Sequence, residues 1–207
     1  MSTEQPSKGE RTRQALLAAA VARFGRDGYR STSVATIARD AHLSSTAAYP
    51  YFASKEALFV AAVDRDTAGV IDDGLMDLLA IEGEIDWLPS LLPSLMAALD
   101  RHPLARRVLA GLEPDFTVRL MRIPALASLR HVVADRIVGQ QATGVVRPDI
   151  DPAAITEGLI TIVLSLLMSL VQTRSSAEDL AGRAVAVLHA ALAPVVAPAP
   201  APARSRR

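Results

Sequence analysis

The residues of this chain best suited to chemistry fall in one short stretch, Ser33 to Phe59. Ser45 and Thr46 set two small hydroxyl side chains together, Ala47 keeps the same face slim, Tyr49 and Tyr51 supply phenols, and Lys55 supplies a cation. The chemistry open to such a set is non-covalent recognition of a nucleic acid. A slim helix face with hydroxyl donors can sit in a major groove and reach base edges. Phenols can hydrogen-bond phosphate oxygens. A lysine at a helix start can join its charge to the free backbone N–H groups there, which also bind phosphate. The same aromatics can serve in packing, and Phe52 is expected in the core. Lys55 is one of only two lysines in a chain that otherwise uses arginine. A bare cation at that position opposes the helix dipole.

Other chemistry is scarce. The absence of cysteine excludes disulfides, thiolate zinc sites, iron–sulfur clusters and cysteine nucleophiles. The four histidines, His42, His102, His131 and His189, form no i, i+4 pair, so no metal site is expected. No glycine-rich phosphate loop, nucleophile elbow or zincin motif is present. No catalytic residue and no cofactor are expected, and Asp72-Asp73 reads as a solvated helix face.

The elements that must position the Ser33–Phe59 stretch all read as helix. Glu10 to Asp27 is amphipathic, with Leu16, Ala20 and Phe24 on its apolar side, and Gly28 should stop it. Thr32 and Ser33 offer N-cap hydroxyls for a short helix over Val34 to Ala41. A tight turn at His42, Leu43 and Ser44 then leads to a second short helix, capped by Ser44 or Ser45 and running to about Tyr51. Val34, Ile37, Ala38, Ala41 and Leu43 are spaced to pack on Leu16, Ala20 and Phe24. Ser54 caps a long helix from Lys55 to about Leu79, which should yield near Asp72, Asp73 and Gly74. Further helices are expected from Asp86 or Leu88 to Arg101, from Pro103 to Gly111, and from Pro114 to Gln141 with a break at Pro124. Asp151-Pro152 is an N-cap and N1 pair opening a helix to about Arg174. Ser176 caps the last helix, which ends near Ala193. The Pro/Ala/Arg tail from Pro194 cannot be helical and is expected to be extended or disordered, as are residues 1–8.

The chain has 207 residues, half of them hydrophobic and only 4% aromatic, with a formal net charge of +0. That length buries a full core, and the composition excludes global disorder. The zero conceals a division. Met1 to Lys55 carries a net +4, Glu56 to Ala203 a net −7, and the tail +3. A basic head on an acidic body fits a nucleic-acid reader joined to a domain that is not one. The mean hydropathy of +0.25 is high. The longest apolar run, Leu159 to Val171, falls short of the roughly 20 residues that cross a bilayer. It reads as a buried helix of a cytoplasmic protein with no membrane partner.

Residues Glu10 to Phe59 resemble the DNA-binding domain of the tetracycline-repressor (TetR) family of bacterial regulators. The elements that carry the likeness are Phe-Gly-Arg-Asp-Gly-Tyr at 24 to 29, Thr32-Ser33-Val34, Ile37-Ala38, Ala-Ala-Tyr-Pro-Tyr-Phe at 47 to 52, and Ser54-Lys55-Glu56-Ala57-Leu58. The resemblance implies an all-α fold: a helix-turn-helix domain of three helices over residues 1–53, then a helical effector-binding and dimerisation domain over 54–193. It implies a homodimer through the last two helices that binds a double-stranded operator, with one short helix of each subunit in successive major grooves. Ser45, Thr46 and Pro50 then occupy base-facing positions, with Ser44 at the start of the same element. Tyr49, Tyr51 and Lys55 face the backbone, and Ser33 or Thr32 touches phosphate. The family often carries Lys-Gly where this chain has Ser45-Thr46, and an aromatic or His where it has Pro50. Fewer contacts are therefore expected, and Pro50 should bend the recognition helix near its end.

The body must hold any sensing function. Trp87, Leu91, Leu95 and Met96 on one helix, Phe116, Leu120 and Met121 on another, and Ser165, Met168 and Ser169 on a third are candidates to line an apolar cavity for a small hydrophobic effector. Each of them could equally be ordinary core. Two rival readings stand beside the ligand-responsive repressor: a regulator of the same fold without an effector, and a helical enzyme or carrier with an incidental helix-turn-helix.

Overall fold

The computed structural model describes residues 7–80, 88–116, 122–173 and 177–193, and among these all regular structure is helical. Helix α1 (Lys8–Ser31) opens at Ser7, whose Oγ accepts from the Glu10 N–H at 3.1 Å, so Ser7 and Lys8, expected to be disordered, are instead the cap and first turn of the helix. Gly28, at φ 80° and ψ 169°, breaks the helical path where the sequence places the stop, and a single further turn follows it. Such a φ suits glycine. A Cβ there would also lie 2.5 Å from Arg107 Nη2 and 2.8 Å from Glu113 Oε1. Ser33 caps α2 (Val34–Asp40), with its Oγ accepting from the Thr36 N–H at 3.1 Å. Leu16, Ala20 and Phe24 of α1 meet Ile37 and Ala38 of α2, all fully buried. Val34, Ala41 and Leu43 flank them half-buried.

Helix α3 (Lys55–Ile71) is capped by Ser54, whose Oγ accepts from the Ala57 N–H at 3.0 Å. It runs on through a π-helical turn (Asp72–Met76) into one more α turn (Asp77–Ala80). The yield expected near Asp72, Asp73 and Gly74 is thus a widened turn rather than a break. Gly74 sits against α4 (Leu88–Leu99), where a Cβ would lie 3.0 Å from the Ala98 Cβ. Phe24, Tyr29 and Phe59 form an aromatic cluster at the α1–α3 contact, with Phe24 and Phe59 edge to face at 4.9 Å. Phe116 joins it at 4.3 Å from Phe59, so this residue is part of the head–body packing.

The body continues with α5 (Pro103–Leu109), α6 (Pro124–Ala142), α7 (Pro152–Thr173) and α8 (Ala177–Leu192). Pro124 does split the stretch, opening α6 at its first position. Neither α5 nor α6 has an N-cap side chain of its own. Both are capped from α3. Asp66 Oδ2 accepts from the Leu104 and Ala105 N–H groups at 2.9 and 2.8 Å, and Asp64 Oδ1 accepts from the Ala125 N–H at 2.8 Å. Asp151 caps α7, accepting from Ala153 and Ala154 at 3.3 Å. α1 packs on α3 and α5, α6 on α7, and α8 chiefly on α4.

Helix α7 corrects the sequence reading. It is 22 residues long, with a mean hydropathy of 2.1 over its most apolar window, long and apolar enough by length and composition to cross a membrane. Only 22% of that window is buried within the chain. The apolar run is embedded in a longer regular helix, whose apolar residues are mostly half-buried against the core, with Ile162 left exposed.

Candidate nucleic-acid interface and effector cavity

The turn after α2 is a Schellman motif. His42 stands at φ 58°. Its N–H donates to the Arg39 carbonyl at 3.0 Å, and the Leu43 N–H donates to the Ala38 carbonyl at 2.9 Å. The expected tight turn at His42, Leu43 and Ser44 is therefore built by backbone bonds, with a left-handed histidine where glycine is usual.

The next element departs from expectation. Residues 45–51 are a chain of tight turns, not an α-helix. Ala47 donates to Ser44, Tyr49 to Thr46 and Tyr51 to Ala48 over three residues, at 3.0, 3.3 and 3.0 Å. One four-residue bond, Phe52 to Ala48 at 3.0 Å, closes the series. Pro50 is the physical reason. It has no N–H to give the Thr46 carbonyl, and its ring crowds that carbonyl in an α-helix. The proline expected to bend the helix near its end instead holds the whole segment out of α geometry. Ala48, fully buried, and Phe52, at 6%, pin the segment to the core.

This anchoring leaves Ser44, Ser45, Thr46, Tyr49 and Pro50 exposed as one surface, beside the exposed cap Ser33. Tyr49 is 59% exposed. Tyr51 is half-buried against the start of α1, close to Gly9. Thr32 corrects the sequence reading. It is 4% exposed, and its Oγ1 donates to the Gly28 carbonyl at 2.8 Å, so it is not presented to a phosphate. Lys55 is half-buried, with Nζ 4.3 Å from the Tyr29 ring centroid and 3.5 Å from the Arg30 carbonyl. The α1 C-terminus and an aromatic face thus hold the cation at the start of α3. Sequence reasoning missed Tyr29 in this role, because the pairing spans two helices.

Part of the head's positive charge is spent internally. Arg23 forks onto Asp40, with Nε and Nη2 each 2.7 Å from a carboxylate oxygen, and its pKa is raised first by that pairing and then by Asp27. Asp27 is held below the usual carboxylate range by Arg26 and then by Arg23. Arg39 is exposed on α2 next to this pair.

In the body, six helices line a partly open apolar cavity of about 100 Å³. Thr67 and Val70 of α3, Leu75 of the π-helical turn, Leu91 and Leu95 of α4, Leu109 of α5, Leu129 of α6, Ile160 and Leu167 of α7 and Leu188 of α8 contribute to its wall. Leu91 and Leu95 stand where the sequence places them. Met96 and Met168 are half-buried outside the lining, because their helix faces turn away from it. Ser165 and Ser169 lie on the exposed face of α7, where Ser165 Oγ donates to the Thr161 carbonyl at 2.8 Å. Phe116 lines a separate depression with Phe59 and Val63. Trp87, Leu120 and Met121 lie outside the described residues, as do the 194–207 tail and residues 1–6.

The head and the cavity are mechanically joined. Glu113, 6% exposed, accepts from the Tyr29 N–H just past the Gly28 break at 3.0 Å and pairs with Arg107 Nε at 2.7 Å. On α3, Arg65 Nη1 donates to the Gln14 carbonyl of α1 at 3.0 Å. The next residue, Asp66, holds α5, and Thr67 after it reaches the cavity wall. His102 lies across α3 with its ring at the place a Gly69 Cβ would fill, Nδ1 3.0 Å from Asp66 and Nε2 3.3 Å from Asp73.

Residues 16–62 match the family model described as bacterial regulatory proteins, tetR family. No curated protein matches the chain in sequence. Among solved structures, it is similar to a TetR-family transcriptional regulator from Cytophaga hutchinsonii, with 22% identity, a TM-score of 0.69, and coverage of 91% of this chain and 96% of that one. It is similar to FadR from Bacillus subtilis in complex with stearoyl-CoA, with 16% identity, a TM-score of 0.67, and coverage of 86% and 98%. AibR in complex with isovaleryl coenzyme A and operator DNA is a more distant match, with 16% identity, a TM-score of 0.54, and coverage of 86% and 98%.

Proposed function

We propose that this chain, a tetR-family regulator by its N-terminal segment and its all-helical fold, is a cytoplasmic homodimeric repressor released from its operator by a small apolar effector. The observation that carries the reading is α3. One continuous rod starts at Ser54 and Lys55, directly after the exposed Ser44–Pro50 surface, and lines the apolar cavity from Thr67 onward. An occupant of the cavity therefore touches the element that seats the DNA-facing segment. Ser33, Ser44, Ser45, Thr46, Tyr49 and Pro50 form the surface offered to a major groove, and Tyr51 and Lys55 stand at its edge toward the phosphates.

The dimer is proposed through α7 and α8. The partly covered apolar face of α7, with Ile162 at 43% exposure, and Val187 of α8 at 64%, are faces that a second copy would cover. The small residues Gly182, Ala186 and Ala190 allow helices to approach closely there. Two heads so joined would reach successive major grooves, roughly 34–36 Å apart. An effector that favours a wider spacing releases the operator by shifting the population of states.

The test is fluorescence anisotropy on duplexes selected from a random pool. The reading expects two chains per duplex, an affinity that falls steeply with salt, and loss of affinity in Lys55→Ala and Thr46→Val. A chain that stays monomeric at micromolar concentration, or that selects no sequence, refutes it.

A further inference from the structure

Among the described residues two helical hydroxyls, Thr67 and Thr156, are buried without a hydrogen-bond partner, and of the two only Thr67 reaches the body cavity. Thr12, Thr32, Ser165 and Thr173 each return a hydrogen bond to the carbonyl four residues earlier, at 2.7 to 3.0 Å. Thr67 is 8% exposed, and its Oγ1 has no hydrogen-bond partner. It is also the one polar side chain among the described residues that line the body cavity. A buried hydroxyl without a partner is costly, because it forfeits its water bonds and gains nothing in return. Every other residue of the lining is aliphatic, and none carries a charge.

We infer that Thr67 is the polar anchor of the cavity, and that the cavity selects a short aliphatic molecule carrying one uncharged hydrogen-bonding group, an alcohol or a ketone. This deepens the reading of the body as an effector domain and rests on it. The aliphatic wall supplies affinity without direction, in proportion to the apolar area covered. The hydroxyl supplies direction, because a ligand oxygen placed beside it satisfies both groups at once. A carboxylate is excluded by the same wall, since no cation is there to receive it and burying an unpaired charge costs more than an apolar contact returns. The size of the space, about 100 Å³, limits the occupant to a small chain unless the helices part.

The test uses the full chain and a matched series of 1-hexanol, 2-hexanone, n-hexane and hexanoate, read by calorimetry at neutral pH. 1-Hexanol and 2-hexanone should bind about tenfold more tightly than n-hexane, the value of one net hydrogen bond, and hexanoate should bind most weakly. Thr67→Val removes the hydroxyl at nearly constant shape and should erase the advantage of the polar pair while leaving n-hexane unchanged. Thr67→Ser should keep the advantage. An undiminished preference in Thr67→Val, hexanoate as the tightest binder, or no binding by any of the four overturns the inference. Operator release is measured separately. Thr67-dependent binding that leaves the protein on DNA supports the site while refuting the ligand-released repressor.

Discussion

Removing the Asp66 carboxylate should destabilise the protein more than any change at the neighbouring exposed acids. Asp66 is 5% exposed and accepts from two backbone N–H groups at the start of α5, on Leu104 and Ala105, which are themselves 0% and 4% exposed. In Asp66→Ala the helix loses its only cap, worth about 1 kcal/mol. Two buried donors also lose their acceptor, at roughly 1–3 kcal/mol each before relaxation. Relief of the buried carboxylate offsets part of this, leaving a net loss of about 3 kcal/mol. Asp66→Asn keeps one acceptor oxygen and should lose about 1–1.5 kcal/mol. For a chain of this size each kcal/mol moves Tm by roughly 2–4 °C, so the alanine variant should melt about 6–12 °C lower. Urea unfolding followed by circular dichroism, at one fixed protein concentration, measures the difference directly. The exposed Asp72→Asn serves as a control and should stay within about 0.5 kcal/mol of the parent. If Asp66→Ala falls within that same margin, the capping of α5 from α3 contributes no stability and the argument fails.

Three further outcomes follow from the geometry. His42→Gly should raise stability by about 0.5–1 kcal/mol, because the left-handed backbone at φ 58° strains a β-carbon; a lower Tm would refute it. Pro50→Ala returns an N–H to the Thr46 carbonyl and should convert residues 45–51 toward α-helix, read as a gain in helical circular dichroism together with a changed operator affinity. Asp73 is held below the usual carboxylate range first by Arg101 and then by His102. Its contribution is therefore complete above the ordinary carboxylate pKa and disappears as pH falls through the lowered one. The stability gap between the parent and Asp73→Asn should hold from pH 7 down to the ordinary carboxylate range, about pH 4, and narrow below it; a gap that does not narrow at still lower pH would contradict the assignment.

The head was legible in the sequence where a residue's partner is close along the chain. Ser33, Ser54 and the Gly28 break could be read because a cap or a stop acts within one turn. The core pairing of Phe24 with Ile37 followed from helical periodicity. Thr32 misled, because a hydroxyl beside a helix end can turn outward to a ligand or back to a carbonyl, and composition does not distinguish the two. Pro50 was readable as a disturbance, but not as the cause of seven residues losing α geometry. In the body, Leu91 and Leu95 could be placed by their stripe. The rotation of α7 that turns Ser165 and Ser169 outward depends on packing against α6 and α5. The trans caps were hidden for a similar reason: Asp66 and Asp64 meet partners 38 and 61 residues away, and no local pattern marks an acid that caps another helix.

The partly covered face of α7 bears on how the protein is made. A newly synthesised copy carries a 22-residue apolar helix that its own chain covers only in part, with Ile162 left 43% exposed. Under the proposed pairing, the exposed apolar side chains of α7 and α8 are covered only once two copies meet, so folding and assembly are linked by mass action. Synthesis rate would then set the yield of usable protein more steeply than in proportion. A scarce regulator of this design would lose activity at low abundance through orphaned copies, before any effector arrives.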